Sequence, residues 1–399
     1  MDAQDLEFDL PRSRLALLLK EFSVVEDDRE PCKVMYPLAE VLLLVVCGTI
    51  CGCDDFDDIV FWGEMHLPFL RTLSEYHFGI PGAAWLRALI NRVNPALFAR
   101  CFEAWIAALW PDRHDLICID GKTARRTHDR KHGFKALHTL SAYASTARLV
   151  LAQLSVPEKA NEIAAIPELL DQLAEAGQLQ GAVVTIDAMG CQVAIANQIL
   201  DLGADYILPL KGNQPTLAND VDSYFKTAPA SELVTFSTQE KDHGRIETRT
   251  YIASRNVDWL LSDRSYPGQP RFRGIKTIIK VEDRTEHPDK CTFDTRLFIA
   301  SVDLDIEKIA SYIRGHWGVE SLHWSLDVTF DEDRSRYRAR SGAKNMAAVR
   351  RFAFNLIKQV SYKTGKRPNS KATASLKSKR KIASWSPDFL LKVLDLKPR

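Results

Sequence analysis

The sequence predicts an α/β protein in which an all-α N-terminal domain precedes a domain built on a mixed sheet, the latter carrying a β-rich insertion. Apolar positions three and four apart dominate residues 12–110, the mark of amphipathic helices. After Trp110-Pro111 the pattern becomes short apolar runs, three in sequence and then alternating with helical segments, which suits a mixed sheet rather than an all-parallel one. From about 215 to 303 the spacing alternates with period two before helical spacing resumes. The expected boundaries are a helical domain over 1–110, a sheet domain over 111–362 with the insertion inside it, and a basic tail over 363–399.

In the first domain helical spacing covers 13–22, 37–50, 56–63, 67–75, 85–93 and 95–109. Residues 38–50 are apolar nearly all round and read as a buried core helix, too short to span a bilayer. In the second domain Leu116-Ile117-Cys118-Ile119 is a buried strand that ends at Asp120. Residues 138–144 and 149–156 form a hairpin across Ser145-Thr146-Ala147-Arg148. An amphipathic helix over 161–176 ends near Gly177, and Val183-Val184-Thr185-Ile186 is a second buried strand, again ending in Asp, at Asp187. A helix over 192–202 and a strand over 206–210 complete an order that ribonuclease-H-like folds share. Strands over 233–238, 245–252, 274–282 and 295–300 make up the insertion. Helices follow over 305–328 and 344–360, the latter with Arg350 and Arg351 on its exposed side. The tail contains Lys363, Lys366, Arg367, Lys371, Lys377, Lys379, Arg380 and Lys381 with no acidic residue among them.

A chain of 399 residues, 46% apolar and 26% charged, buries a sizeable core. Its net charge of +1 denies it a global basic field, so affinity for nucleic acid must come from local clusters. The 8 cysteines form no CxxC pair and no His stands at zinc-ligand spacing from them, which fits reduced thiols in a cytosolic protein. The acidic start is the reverse of a signal peptide's, so the expectation is a cytoplasmic protein with no membrane role. No P-loop or Rossmann glycine pattern calls for a nucleotide cofactor.

Two buried strands that each end in Asp, followed much later by a helix bearing Glu, are a recurring way to hold two divalent cations. In two-metal phosphoryl transfer the ions sit about 3.5–4 Å apart, one activating the attacking oxygen and one stabilising the leaving oxygen. An Asp after an apolar strand is also an ordinary turn former or cap; the joint occurrence of Asp120 and Asp187 is what points to chemistry. Gly121 and Gly190 close behind them would let a DNA backbone approach. Candidates for the third acid are Glu320, Asp327, Asp331, Glu332 and Asp333. Helical geometry favours Glu320, because His316, Glu320, His323 and Asp327 share one face. Two His and a distant carboxylate match zinc poorly. Lys122, Arg125, Arg126, Lys211, Asn213, Gln214, Arg245 and Arg249 suit DNA phosphates, though each alone is commonly a solvated surface residue. Trp317 and Trp324, with His316 and His323 on the same helix, suit contact with DNA, stacking on an unpaired base included, and core packing is the alternative for at least one Trp.

Ile119-Asp120-Gly121-Lys122, the run Thr185 to Gln192, Lys211-Gly212-Asn213-Gln214, His243-Gly244-Arg245 and the run His316 to Trp324 resemble the landmarks of DDE transposases from bacterial insertion sequences, in the branch that includes the H-repeat-associated proteins. The resemblance runs from about residue 12 to the end. It implies a ribonuclease-H-like catalytic domain whose metal ligands and catalytic acids are Asp120, Asp187 and Glu320. It further implies two Mg2+ ions, with Mn2+ able to substitute, and a homodimer on double-stranded DNA, both terminal inverted repeats and target. The activity it implies is cleavage at element ends followed by strand transfer, in the bacterial cytoplasm at the nucleoid. A nuclease of the same fold that does not join strands, and a catalytically silent DNA-binding relic, are the alternatives. There are departures: aligned on Glu320, His316 stands where related transposases carry the Arg of a Tyr, Arg, Glu, Lys signature, and Asp327 stands where they carry the Lys. The contacts of that Arg and Lys do not carry over, and Asp327 is a candidate extra ligand. Gly79-Ile80-Pro81-Gly82-Ala83-Ala84-Trp85 resembles a loop that carries polar residues in relatives, so its DNA contacts do not carry over either.

Overall fold

Side chains visible in the sequence start several of the helices. Ser13 accepts a hydrogen bond from Ala16 N at the head of α1 (Arg14–Val24), and Asp55 accepts one from Asp58 N at the head of α3 (Phe56–Met65). The computed structural model describes residues 13–109, 116–129, 131–156, 162–242, 244–261, 272–363 and 373–395. Between those two helices lies α2 (Leu38–Ile50), buried along almost its whole length. Its one carboxylate, Glu40, is satisfied by Tyr76 N at 2.7 Å and Ser74 Oγ at 3.1 Å. The short α4 (Leu67–Leu70), α5 (Ala83–Arg92) and α6 (Pro95–Leu109) complete the N-terminal helices. The helix expected over 67–75 stops after one turn, and Tyr76 follows with φ +42.

The strands form one nine-stranded sheet of order β3-β2-β1-β4-β5-β9-β8-β7-β6. Its members are β1 (Leu116–Ala124), β2 (Leu137–Ala144), β3 (Leu149–Val156), β4 (Val183–Ile186), β5 (Asp205–Leu210), β6 (Val234–Asp242), β7 (Arg245–Ser254), β8 (Thr277–Glu286) and β9 (Cys291–Ala300). β1 runs antiparallel to β2 and parallel to β4, and β4 is parallel to β5. The mixed character and the hairpin are as expected. The insertion does not stand apart: β9 pairs antiparallel with β5, Ile207 opposite Ala300, so its four strands extend the same sheet. It also opens with a helix, α9 (Pro215–Thr227), where strands were expected; Val221 is its only fully buried residue, too thin a stripe to betray a helix in the sequence. α7 (Glu162–Glu175) packs on β2 and β3, α8 (Val193–Asp201) packs on β5, and the short α10 (Asp258–Leu261) follows β7.

Beyond the insertion the single helix expected over 305–328 is broken into α11 (Ile306–Gly315), α12 (Gly318–Trp324) and a π-helical turn (Ser325–Thr329). α13 (Arg340–Lys358) then packs among α2, α5 and α6, so the N-terminal helical layer is closed by a C-terminal helix. The expected boundary at 110/111 lies outside the described residues, as do His243, Lys366, Arg367 and Lys371. The described stretch 373–395 of the tail holds α14 (Leu376–Trp385) and α15 (Pro387–Val393). Arg380, expected in a basic tail, is buried: it donates to Thr49 O at 2.9 Å and Asp54 Oδ1 at 2.8 Å, and lies over the Phe330 ring. Lys379 is buried beside it.

Arg350 and Arg351 are not on an exposed face either; both are buried. Arg351 is ion-paired with Glu332 and donates to Thr139 Oγ1 at 3.3 Å. On the other side of Glu332 stands Lys122, buried, 2.5 Å from Asp327 and 3.5 Å from both Glu332 and Asp333. Glu332 is wholly buried, which opposes its ionisation, yet Arg351, Lys122 and Arg350 outweigh that and hold its carboxyl down at about 2.

Replacing Arg351 by Met strands a buried carboxylate and should lower unfolding free energy by about 3–5 kcal/mol, read as a fall in the denaturant midpoint. The low value for Glu332, against an ordinary 4.5, makes its contribution fully present above about pH 4.5 and lost as pH falls toward about 2. The stability gap between wild type and Glu332→Gln, measured by urea unfolding, should therefore be widest near neutrality and close progressively below pH 4.5.

Candidate active site

The parallel pairing of β1 with β4 ends at Ile119 opposite Ile186, so the next residue on each strand is an aspartate, Asp120 and Asp187. β1 does not stop there as expected: it continues to Ala124 along β2, with Asp120 opposite Ser141. Asp120 thus sits inside a strand, at the point where β4 has left its flank. Each aspartate spends one oxygen locally. Asp120 Oδ1 accepts from Gly121 N at 2.8 Å, and Asp187 Oδ1 accepts from Gly190 N at 3.0 Å as the cap of the turn that follows. The cap and the site reading of Asp187 therefore coexist, since the bonded oxygen orients the other.

α11 and α12 lie against β1. A Cβ on Gly315 would come within 2.6 Å of the Leu116 side chain, so glycine permits this approach. Ser145 donates to Gly315 O at 2.7 Å, and His316 Nδ1 lies 2.8 Å from Thr185 Oγ1. On α12, Glu320 is exposed while His323 turns inward, its Nδ1 3.5 Å from Asp120 Oδ2. Burial, then the charges of Arg351 and Lys122, pull His323 down to about 4, so its imidazole is neutral near pH 7 and leaves the Asp120 charge uncompensated.

Asp120 itself is raised to about 6, first by burial and then by the negative fields of Asp187, Glu162 and Glu320, against the lowering bond from Gly121 N. Among the described residues Asp120, Asp187 and Glu320 have no ion pair with Lys or Arg. An all-oxygen, mutually repelling donor set fits a hard divalent cation. The acids feel one another's charge without being clenched: among the described residues no group of three His, Cys, Asp or Glu side chains is close enough to hold one ion.

Several residues expected to face DNA are occupied elsewhere. Lys122 is committed to its carboxylates, and Arg249 is buried, paired with Glu240 and Asp283 at 3.1 Å each and with Glu247. Asn213 donates to Ala188 O at 2.5 Å and Gln214 to Cys191 O at 3.1 Å, so these amides clamp the loop behind Asp187. Gly121 and Gly190 face inward: a Cβ would lie 2.6 Å from His138 Nε2 at the first and 2.2 Å from Ile186 Cγ2 at the second. His316 is lowered by burial and tied to Thr185. Arg125, Arg126 and Lys211 are exposed. Arg245, Trp317, Glu320 and Trp324 line a cleft of about 830 Å³ between α12 and strands β7 to β9. Trp317 lies beneath Arg314, Arg296 and Arg249 at 4.9, 5.0 and 5.3 Å, whereas Trp324 is 61% exposed.

The sequence reading missed Glu162 and His138, a buried pair 2.6 Å apart directly behind Gly121. The available signal was polar His138, Thr139 and Ser141 in a strand otherwise read as buried. It also missed the ion pair between Asp327 and Lys122.

Comparison with known proteins identifies the family. The transposase DDE domain matches residues 111–356, and a domain associated with it matches residues 19–106. The "H repeat-associated putative transposase YhhI" of Escherichia coli K12 is 34% identical over 389 residues, covering 95% of this chain and 98% of that protein. The "Putative transposase YncI" of Escherichia coli O157:H7 is 36% identical over 348 residues, covering 86% of this chain and 87% of that protein. A chain in a piggyBac transposase synaptic complex with hairpin DNA aligns at TM-score 0.43 and 12% identity, over 96% of this chain and 82% of that one. With strand-borne Asp120 and Asp187 beside the Glu320 helix in a matching domain that spans most of its length, the chain belongs to the DDE transposase family.

Proposed function

We propose that this chain is an active transposase: it cuts DNA at the ends of an insertion sequence and joins the freed ends to target DNA. Asp120, Asp187 and Glu320 are its catalytic acids. The observation that carries the reading is that Asp120 and Asp187 stand side by side where β1 and β4 part, with Asp120 in the fields of Asp187 and Glu320 and no Lys or Arg ion-paired to any of the three among the described residues, in a chain of this family. The strand order β3-β2-β1-β4-β5, with β2 antiparallel and β4 and β5 parallel to β1, supports a ribonuclease-H-like core that β6 to β9 extend.

Asp120, Asp187 and Glu320 would hold two Mg2+ ions, or Mn2+ in their place, and the bound ions would supply charge stabilisation at the attacking and leaving oxygens. The protein's own contribution is placement. Backbone N–H bonds to one oxygen of each Asp fix the direction of the other, and the neutral His323 lies beside Asp120 without cancelling its charge. Glu320 opens onto the cleft, where Arg245, Arg314 and Trp324 offer cationic and flat surfaces to a DNA strand. Water attacks the phosphodiester at the element end and the 3′ oxygen leaves with a proton; that 3′ hydroxyl then attacks a target phosphodiester, whose own 3′ oxygen leaves and takes up the proton. Two ends must be brought together, so a homodimer on DNA is part of the proposal.

On duplex DNA carrying the flanking inverted repeats, wild type with Mg2+ should cut at the repeat ends. Asp187→Ala and Glu320→Gln should lose more than the roughly 100-fold that removal of an outer-shell metal partner costs, while still binding DNA. Full-rate cutting by either variant would overturn the assigned roles. Transfer of a labelled 3′ end into a second duplex should accompany cutting; cleavage without transfer would mark a nuclease of the same fold, and binding without cleavage a silent relic.

A further inference from the structure

Most arginines near the sheet are spent on carboxylates, as Arg249, Arg296 and Arg351 are. Arg336 and Arg338 are not: both are exposed, and neither has a hydrogen bond, ion pair or ring contact among the described residues. They lie in the extended segment that leaves the turn Glu332–Arg334 and enters α13, with Ser335 at φ −58, ψ 121 and Ala339 at φ −60, ψ 123. Alternate side chains of such a segment point to opposite sides. Tyr337 points inward, its hydroxyl donating to Arg87 O at 3.1 Å and to Asn91, its ring meeting Phe56 at 5.2 Å. Gly342 makes room for it, since a Cβ there would lie 2.2 Å from Tyr337 Cε1. The arginines are thus presented outward by a segment fixed at its centre and at both ends.

Other cations continue the row. Arg334 is exposed and only loosely held, 3.7 Å from Asp331. Arg125 N–H donates to Asp333 Oδ1 at 3.1 Å, which sets the exposed Arg125 and Arg126 beside this turn. Arg338, Lys135 and Lys344 share a hollow of about 100 Å³.

We propose that Arg334, Arg336 and Arg338, with Arg126 alongside, form a phosphate track, a site for the sugar–phosphate backbone of double-helical DNA separate from the cleft beside Glu320. The proposal rests on the reading of DNA as substrate. From Arg336 to Arg338, two residues of extended chain advance roughly 6.6 Å, close to the through-space step between adjacent phosphates of one DNA strand, so the two rows are commensurate. Guanidinium groups suit phosphate oxygens through paired N–H bonds. The row begins directly after Glu332 and Asp333, which hold Lys122, two residues from Asp120, so the track leads away from the strand that bears that carboxylate.

The test is fluorescence anisotropy of the full chain with a short labelled duplex of arbitrary sequence between 50 and 200 mM salt. The variant with Arg126→Ala, Arg336→Ala and Arg338→Ala should bind at least about tenfold more weakly, with the slope of log affinity against log salt shallower by about 2.7. The corresponding triple Lys variant should recover most of that slope. Unchanged affinity and slope in the Ala variant would overturn the track while leaving DNA binding intact. Weakening that Lys does not restore, with a lowered melting transition, would also overturn it by marking a structural role. Absence of duplex binding by wild type would overturn the DNA reading and the track with it.

Discussion

The buried ammonium of Lys122 sits among the partly exposed Asp327 and Asp333 and the buried Glu332, with Arg351 on the far side of Glu332, and the geometry of the site depends on this ion cluster. Burying so many charges is costly, and such clusters are retained where they fix one arrangement of segments rather than for stability as such. Here the segments are β1, which bears Asp120, the turn after the Glu320 helix, and α13, which also closes the N-terminal helices. Lys122 stands two residues after Asp120 and Asp327 seven after Glu320. Their 2.5 Å contact ties the two acid-bearing elements directly. The π-helical turn at Ser325–Thr329 places Asp327 for that contact, in keeping with the habit of π turns to occur at functional positions.

The cluster also decides which charges the site leaves open. The cluster absorbs Lys122, two residues from Asp120, while burial first and then the charges of Arg351 and Lys122 keep His323 neutral beside Asp120. The acids then repel one another in a partly buried place, an arrangement that costs energy until positive charge arrives. Glu162 belongs to this balance: it adds to the field on Asp120, yet its carboxylate is turned to His138 behind Gly121.

The strand-borne aspartates, the mixed sheet and most helices were legible in the sequence because each rests on local periodicity. The long-range pairings were not. Arg351 reads as an exposed charge on a helix until Glu332 is known to lie against it, and Lys122 reads as a phosphate contact until Asp327 is seen at its ammonium. Asn213 and Gln214 look like DNA-facing amides, and only the fold shows them closing the Asp187 loop. The insertion reads as a separate β-rich unit because nothing local tells that β9 will pair with β5.

The central claim is that Asp120, Asp187 and Glu320 together form a divalent-cation site. Calorimetric titration of the full chain with MnCl2, wild type beside Asp120→Asn and Glu320→Gln, addresses it without DNA or turnover. The account predicts saturable binding by wild type that weakens in both variants while their melting transitions stay intact. Equal manganese affinity in all three proteins would contradict it.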